Sequence, residues 1–160
     1  MVVGGVSNAV TQSWASMRIG AILGGGLVGE AEGNLTLADN YASGTVSGGG
    51  GLIGKNSGPG GQTGNTIQRS YARGVVRMGG GVTGNDDGTG TYASTYWDMD
   101  TTRIRNPAQG VYNIPNEPGV TGLSDAQMKS GLPAGFDPAV WGDNPAINGG
   151  YPYLLSNPPQ

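Results

Sequence analysis

No cysteine and no histidine occurs among the 160 residues. Thiolate nucleophiles, imidazole bases and the commonest soft metal ligands are therefore excluded, and any chemistry falls to carboxylates. Asp98 and Asp100 alternate in sequence. A strand through both would put them on one face, as a paired acid and base would require. Asp86 and Asp87 lie in Gly84-Asn85-Asp86-Asp87-Gly88, a loop with oxygen ligands to offer calcium. Each pair also has a plainer reading. The chain has 11 acidic residues, enough to give close pairs by chance. Asp-Gly and Asn-Asp are ordinary turn formers. Neither pair recurs along the chain, and the full calcium-loop spacing is missing. No base, nucleophile and orienting group can be named together, so the sequence assigns no catalytic residue and implies no cofactor.

The residues suited to binding recur more regularly. Trp14, Tyr41, Tyr71 and Tyr96 form an aromatic series, which reads either as a carbohydrate-stacking ladder or as structural ring packing. Arg73 and Arg77 alternate and share the outer face of one expected strand. They could meet an acidic glycan or simply solvate that face.

These residues must be held by a glycine-rich scaffold, since 33 residues are glycine. Collagen's three-residue period is absent, and spaced apolar residues argue against disordered low-complexity sequence. A β-rich fold with many tight turns remains. A single phenylalanine leaves a thin core of Ala, Val, Leu and Ile. Charged residues make up 12% of the chain and the net charge is −3, which disfavours nucleic acid as a partner. No apolar run reaches the roughly 18 residues of a membrane span, so membrane insertion is not expected. The N-terminus lacks a basic start followed by a long apolar stretch, and is read as the start of an excised fragment with an added Met1 rather than as a signal peptide.

The scaffold repeats. Ser13-Trp14-Ala15-Ser16-Met17-Arg18-Ile19, Asn40-Tyr41-Ala42-Ser43-Gly44-Thr45-Val46 and Ser70-Tyr71-Ala72-Arg73-Gly74-Val75-Val76 are copies, and Thr95-Tyr96-Trp97-Asp98 is a degenerate fourth. The aromatics are 27, 30 and 25 residues apart. Gly26-Leu27-Val28-Gly29, Gly51-Leu52-Ile53-Gly54 and Gly81-Val82-Thr83-Gly84 form a second element, with Gly5-Val6-Ser7-Asn8 a worn version. One apolar residue lies four positions before each aromatic: Val10, Leu37, Ile67 and Tyr92. The step from aromatic to the next glycine motif is 12, 10 and 10 residues, while the return step is 15, 20 and 15. Insertions thus collect in one arc, as they do in a solenoid.

Alternation predicts Ala42, Gly44 and Val46, with Ala72, Gly74 and Val76, on a narrow inward face, and aligns Ala15, Met17 and Ile19 with them. The expected fold is all-β: a right-handed parallel β-helix of about four short coils, with equivalent residues stacked about 4.8 Å apart.

The paired Gly-Leu-Val-Gly and Tyr-Ala-x-Gly-x-Val motifs resemble the GLUG repeats of filamentous-haemagglutinin-like adhesins and other large bacterial exoproteins. The resemblance covers residues 4 to about 98. It continues through Tyr96-Trp97-Asp98, Gly122-Leu123-Ser124-Asp125-Ala126-Gln127-Met128-Lys129, Trp141 and Tyr151-Pro152-Tyr153-Leu154, an order similar to the terminating segment of such arrays. Thr83 departs from the pattern by replacing an aliphatic residue. The resemblance implies a parallel β-helix, an extracellular or cell-surface location, and a non-enzymatic adhesive or structural role within a larger exoprotein. Partners would be a host or matrix glycan or protein, the rest of the exoprotein, or another copy end-on. A carbohydrate-binding or carbohydrate-active domain and a filament subunit are the alternatives. The family supplies no catalytic residues to carry over.

Two segments are expected: residues 1–98 as repeats and 99–160 as a C-terminal cap. Nine of the ten prolines fall in the second. Ser124-Asp125-Ala126-Gln127 reads as a capping box opening a short helix that Gly131 and Pro133 end. The cap, with Trp97, Phe136, Trp141, Tyr151 and Tyr153, would cover the open end of the solenoid. Met1-Val2-Val3 and the worn first unit favour an end-on contact at the other end.

Overall fold

The computed structural model describes residues 8–58 and 64–159. Met1-Val2-Val3, most of the worn first motif and the loop around Pro59 lie outside these. The chain forms a parallel β-solenoid of about four turns. Its long strands are β1 (Asn8–Ala15), β5 (Leu35–Ala42), β9 (Thr66–Ala72) and β12 (Thr91–Asp98). They stack in that order in parallel, and β13 (Val120–Leu123) adds a fifth rung. A second stack is made of β3 (Gly24–Gly25), β7 (Gly49–Gly50) and β10 (Gly79–Gly80), and a third of β4 (Val28–Glu32), β8 (Ile53–Ser57) and β11 (Thr83–Asp86). A short pair, β2 (Arg18–Ile19) with β6 (Thr45–Val46), marks the corner after the long strand.

The expected ladder is present. Val10 pairs with Leu37, Leu37 with Ile67, and Ile67 with Tyr92. Leu37 and Ile67 are fully buried, in one core with Leu52, Ile53, Val82, Ala42 and Ala72. Leu37 and Ala42 both point inward although five positions separate them, which simple alternation forbids. The cause is a left-handed residue in every rung. Gln12, Asp39, Arg69 and Ser94 have φ of 46°, 58°, 45° and 46°, each two residues before the aromatic. This shifts the alternation by one residue. Ser13, Asn40, Ser70 and Thr95 then turn inward, and the aromatics turn outward.

The inward polar residues satisfy the backbone that the kink frees. Asn40 Nδ2 donates to the carbonyls of Val10 and Ala38, both at 2.8 Å, and its Oδ1 accepts from Ser13 N–H at 2.9 Å. Ser70 Oγ donates to Gln68 O at 2.8 Å and accepts from Asn40 N–H at 3.1 Å. Thr95 Oγ1 lies 3.1 Å from the carbonyls of Ile67 and Ala93. Buried backbone groups without partners are costly, so this ladder is a condition of the kink.

The Tyr-Ala-x-Gly-x-Val segment is therefore not one strand. β1, β5 and β9 end at the alanine, and the chain turns a corner at Gly44 or Gly74 before Val46 and Val76 rejoin the core. Met17 does not align inward: it is 65% exposed, because it lies on the outer side of that corner. For the same reason Arg73 and Arg77 do not share a strand face, since the turn lies between them.

The segment after Asp98 differs from the expected cap. Helix α1 (Met99–Thr102) and the loop to β13 continue around the coil, with Val82 N–H donating to Gly110 O at 2.8 Å and Tyr112 N–H to Thr83 O at 3.0 Å. Trp97 pairs with Ala72 in the ladder and fills the end of the inner core, with its Nε1–H donating to Ile104 O at 2.9 Å. This turn closes the core end. The remainder does not sit on the end. It includes helix α2 (Asp125–Met128), with its capping box formed, and the antiparallel pair β14 (Trp141–Gly142) and β15 (Tyr153–Leu154). It folds back over the outer face of the long-strand sheet, where Phe136, Trp141 and Tyr151 pack on Tyr41, Tyr71 and Tyr96. Ser156 Oγ reaches Gln12 Oε1 on the first described rung at 2.6 Å.

Candidate functional site

The aromatic series is a continuous stack at its N-terminal end. Trp14 and Tyr41 rings lie 5.8 Å apart at 9°, and Tyr41 and Tyr71 5.1 Å apart at 4°. Parallel pairing in register forces this, since equivalent residues of adjacent rungs are neighbours. Tyr41 and Tyr71 are almost completely buried beneath the returning tail, so they do not offer free faces to a glycan. Tyr96 does not extend the stack and meets Phe136 edge-on at 5.8 Å. Each such pair contributes about 0.5–1.5 kcal/mol beyond burial.

The three tyrosine hydroxyls differ. Tyr71 donates to Pro152 O at 2.6 Å and accepts from Asn148 Nδ2 at 3.0 Å. Tyr96 donates to Ala134 O at 2.7 Å. Tyr41 Oη is buried and has no partner among the described residues. Burial pushes the Tyr41 phenol up to about 12, against the opposing pull of the Arg73 charge.

Tyr41 borders a cleft of about 540 Å³ between the coils and the tail. Trp14, Tyr41, Ser43 and Arg73 line it from the coils, and Asn148 and Pro159 from the tail. The Arg73 guanidinium lies 4.4 Å over the Tyr151 ring, and its Nη2 donates to Asn148 Oδ1 at 2.8 Å. Its Nε is buried without a partner among the described residues. Among the described residues no carboxylate lines the cleft. The neighbouring Arg69, by contrast, is paired with Asp39 at 2.9 Å, through both carboxylate oxygens. Among the described residues the cleft thus carries a cation without a carboxylate partner, two polar atoms without a partner and an indole. Arg77 is exposed and is not among its lining residues.

The carboxylates singled out by type take structural positions. Asp98 ends β12 and Asp100 lies in α1, so they are not on one strand face. Asp98 Oδ1 caps α1 by accepting from Asp100 and Thr101 N–H at 2.8 and 3.1 Å, while Oδ2 lies 2.7 Å from Tyr151 Oη, whose single O–H is shared between Asp98 and Asp125. Asp100 Oδ2 accepts from Asp125 N–H at 2.9 Å. Asp86 is buried. Its Oδ2 accepts from Asn56 Nδ2 at 2.7 Å and Tyr92 Oη–H at 2.5 Å, and its Oδ1 from Gly88 N–H at 2.8 Å and Gly90 N–H at 3.3 Å. Asp87 holds Thr89 and Gly58 in the same way. Thr83, the departure from the aliphatic pattern, lies 3.1 Å from the Tyr92 hydroxyl that enters the ladder one rung on. Two changes in the repeat therefore match each other.

Of the residues forming the cleft, Trp14, Tyr41 and Arg73 were legible as binding candidates. Asn148 and Pro159 carry no repeat signal, and nothing in the sequence places them beside the coils. The chain matches no family model, no curated protein and no solved structure.

Proposed function

We propose that this chain is a non-enzymatic display or adhesive module of a bacterial surface or secreted exoprotein of the GLUG-repeat kind. The observation that carries the reading is the use made of its carboxylates. Asp86, Asp87, Asp98 and Asp100 each accept hydrogen bonds from backbone N–H groups, fixing turns, a helix start or the start of the tail. None of the four lines the cleft between the coils and the tail. The repeated positions, moreover, serve stacking, which lengthens a surface rather than building one reaction centre. Assay of the protein against bacterial and plant polysaccharides, with and without calcium, tests this reading. Binding to a glycan or matrix protein without turnover is expected. Turnover abolished by Asp98→Asn or Asp100→Asn would refute it.

A further inference from the structure

We infer that the cleft between Trp14 and Asn148 is a binding site for a carboxylate-bearing sugar residue of an acidic glycan. The inference rests on the display reading and names the ligand class of that surface. Three features meet here. Arg73 is a cation with no carboxylate partner among the described residues, and it is held by Tyr151 and Asn148 rather than free in solvent. A guanidinium recognises a planar carboxylate through paired N–H donors. Tyr41 Oη and Arg73 Nε are buried polar atoms without partners among the described residues, although the equivalent hydroxyls of Tyr71 and Tyr96 are both satisfied by tail carbonyls. A buried unpartnered hydroxyl destabilises a fold, so its retention at this rung alone fits a group kept for a ligand. Trp14 adds an indole surface only partly covered by its neighbours, and Ser16 and Ser43 add hydroxyls that both donate and accept.

The ligand that uses all of these has an anionic carboxylate, several hydroxyls and an apolar ring face. A pyranose acid meets that description. A neutral sugar leaves Arg73 unpaired, and an acidic peptide leaves the serine hydroxyls and the indole with less to contact. The cleft volume of about 540 Å³ falls within the roughly 300–1,000 Å³ typical of small-ligand sites. It fits a terminal or short internal stretch of such a glycan.

The test uses the intact chain with oligogalacturonate and sialyllactose as acidic probes, their neutral counterparts, and an acidic hexapeptide. Trp97 and Trp141 are both buried, so a change in indole emission reports on Trp14, and calorimetry gives the affinity independently. At least one acidic sugar should bind, with its neutral counterpart weaker by on the order of tenfold or more. Tyr41→Phe keeps the ring stack and removes only the hydroxyl. It should lower affinity roughly five- to tenfold while the protein melts at the same or a higher temperature. Arg73→Lys keeps the charge but loses the fork, and should weaken binding of the acidic sugar selectively. Equal binding of neutral sugars, preference for the peptide, unchanged affinity in Tyr41→Phe, or no binding of either acidic probe would overturn the assignment. Hydrolysis or elimination of the bound glycan would instead overturn the display reading on which it rests.

Discussion

Gly74→Ala tests the stacking geometry most directly. A Cβ built at Gly74 would lie 1.6 Å from Gly44 O, 2.6 Å from Gly44 C and 2.8 Å from Gly44 N. Non-bonded carbon contacts settle at roughly 3.5–4.0 Å. The obstacle is backbone of the preceding coil, which has no rotamer to change. Relief requires the two coils to part at this corner, and that loosens the bonds from Val46 N–H to Val75 O at 2.8 Å and from Arg77 N–H to Val46 O at 3.0 Å. A single methyl should therefore cost about 2–3 kcal/mol, near the upper end for overpacking. For a domain of this size that lowers the melting temperature by roughly 4–12 °C. Gly29→Ala is the control, since a Cβ there meets nothing within 4 Å and its φ is ordinary. It should stay within about 0.5 kcal/mol of the parent. Thermal melts followed by circular dichroism decide the matter. If Gly74→Ala and Gly29→Ala melt together, the coils are not in the backbone contact described, and the corner assignment fails.

Asp86→Ala should destabilise by about 1–3 kcal/mol, because it strands Asn56 Nδ2 and the Tyr92 hydroxyl in the core. Millimolar calcium should leave the parent's melting temperature unchanged, and a rise lost in Asp86→Ala would restore the calcium-loop reading. Asp125 is held below the usual carboxylate range by the hydrogen bond from Tyr151 and then by Lys129. Its contribution to stability is present above the unfolded value, near pH 4, and is lost as pH falls through the lower folded value. Tyr151→Phe removes the largest cause, so denaturant midpoints measured at pH 5 and pH 3 should differ less in the variant than in the parent. Deletion of residues 124–160 uncovers Tyr41, Tyr71 and Tyr96, and should produce dye binding and association in sedimentation. A deleted chain that remains monomeric with an unchanged melt would show that the tail is no cover.

The inner ladders were legible because a repeat at constant offset from an aromatic is already a statement of register. Val10, Leu37, Ile67 and Tyr92 needed no further information to be placed together. The faces beyond that ladder were harder, and the reason is local. Gln12, Asp39, Arg69 and Ser94 share no side-chain feature that favours left-handed backbone, so the kink left no mark of its own. Its trace was one residue later, in Ser13, Asn40, Ser70 and Thr95, all small and polar before the aromatic. A polar residue repeated at a fixed place in an apolar strand implies backbone in need of a partner. Without the kink, Met17 aligns inward and Arg73 and Arg77 align on one face; with it, the strand ends and the corner begins. The cleft was half legible for a different reason. Trp14, Tyr41 and Arg73 carry repeat register, whereas Asn148 lies in an aperiodic proline-rich segment whose position depends on the path of the tail.

The tail and the ladder also set each other's length. Tyr96 receives Phe136, Tyr71 receives Phe136, Trp141 and Tyr151, Tyr41 receives Trp141, and the rung of Trp14 receives Ser156 through Gln12. The returning chain thus meets every described aromatic rung, Tyr96 first and the rung of Trp14 last. Its cover thins toward the first one: Tyr71 is ringed by tail aromatics, while among the described residues the one ring that Trp14 meets is Tyr41. The cleft opens at that thinning, where the tail passes close enough to supply Asn148 and Pro159 but not a carbonyl for the Tyr41 hydroxyl. Burial of the stack and the opening of the cleft are therefore two results of one arrangement. The tail removes most of an aromatic strip from water and leaves a cleft at the end that holds Trp14 and Arg73.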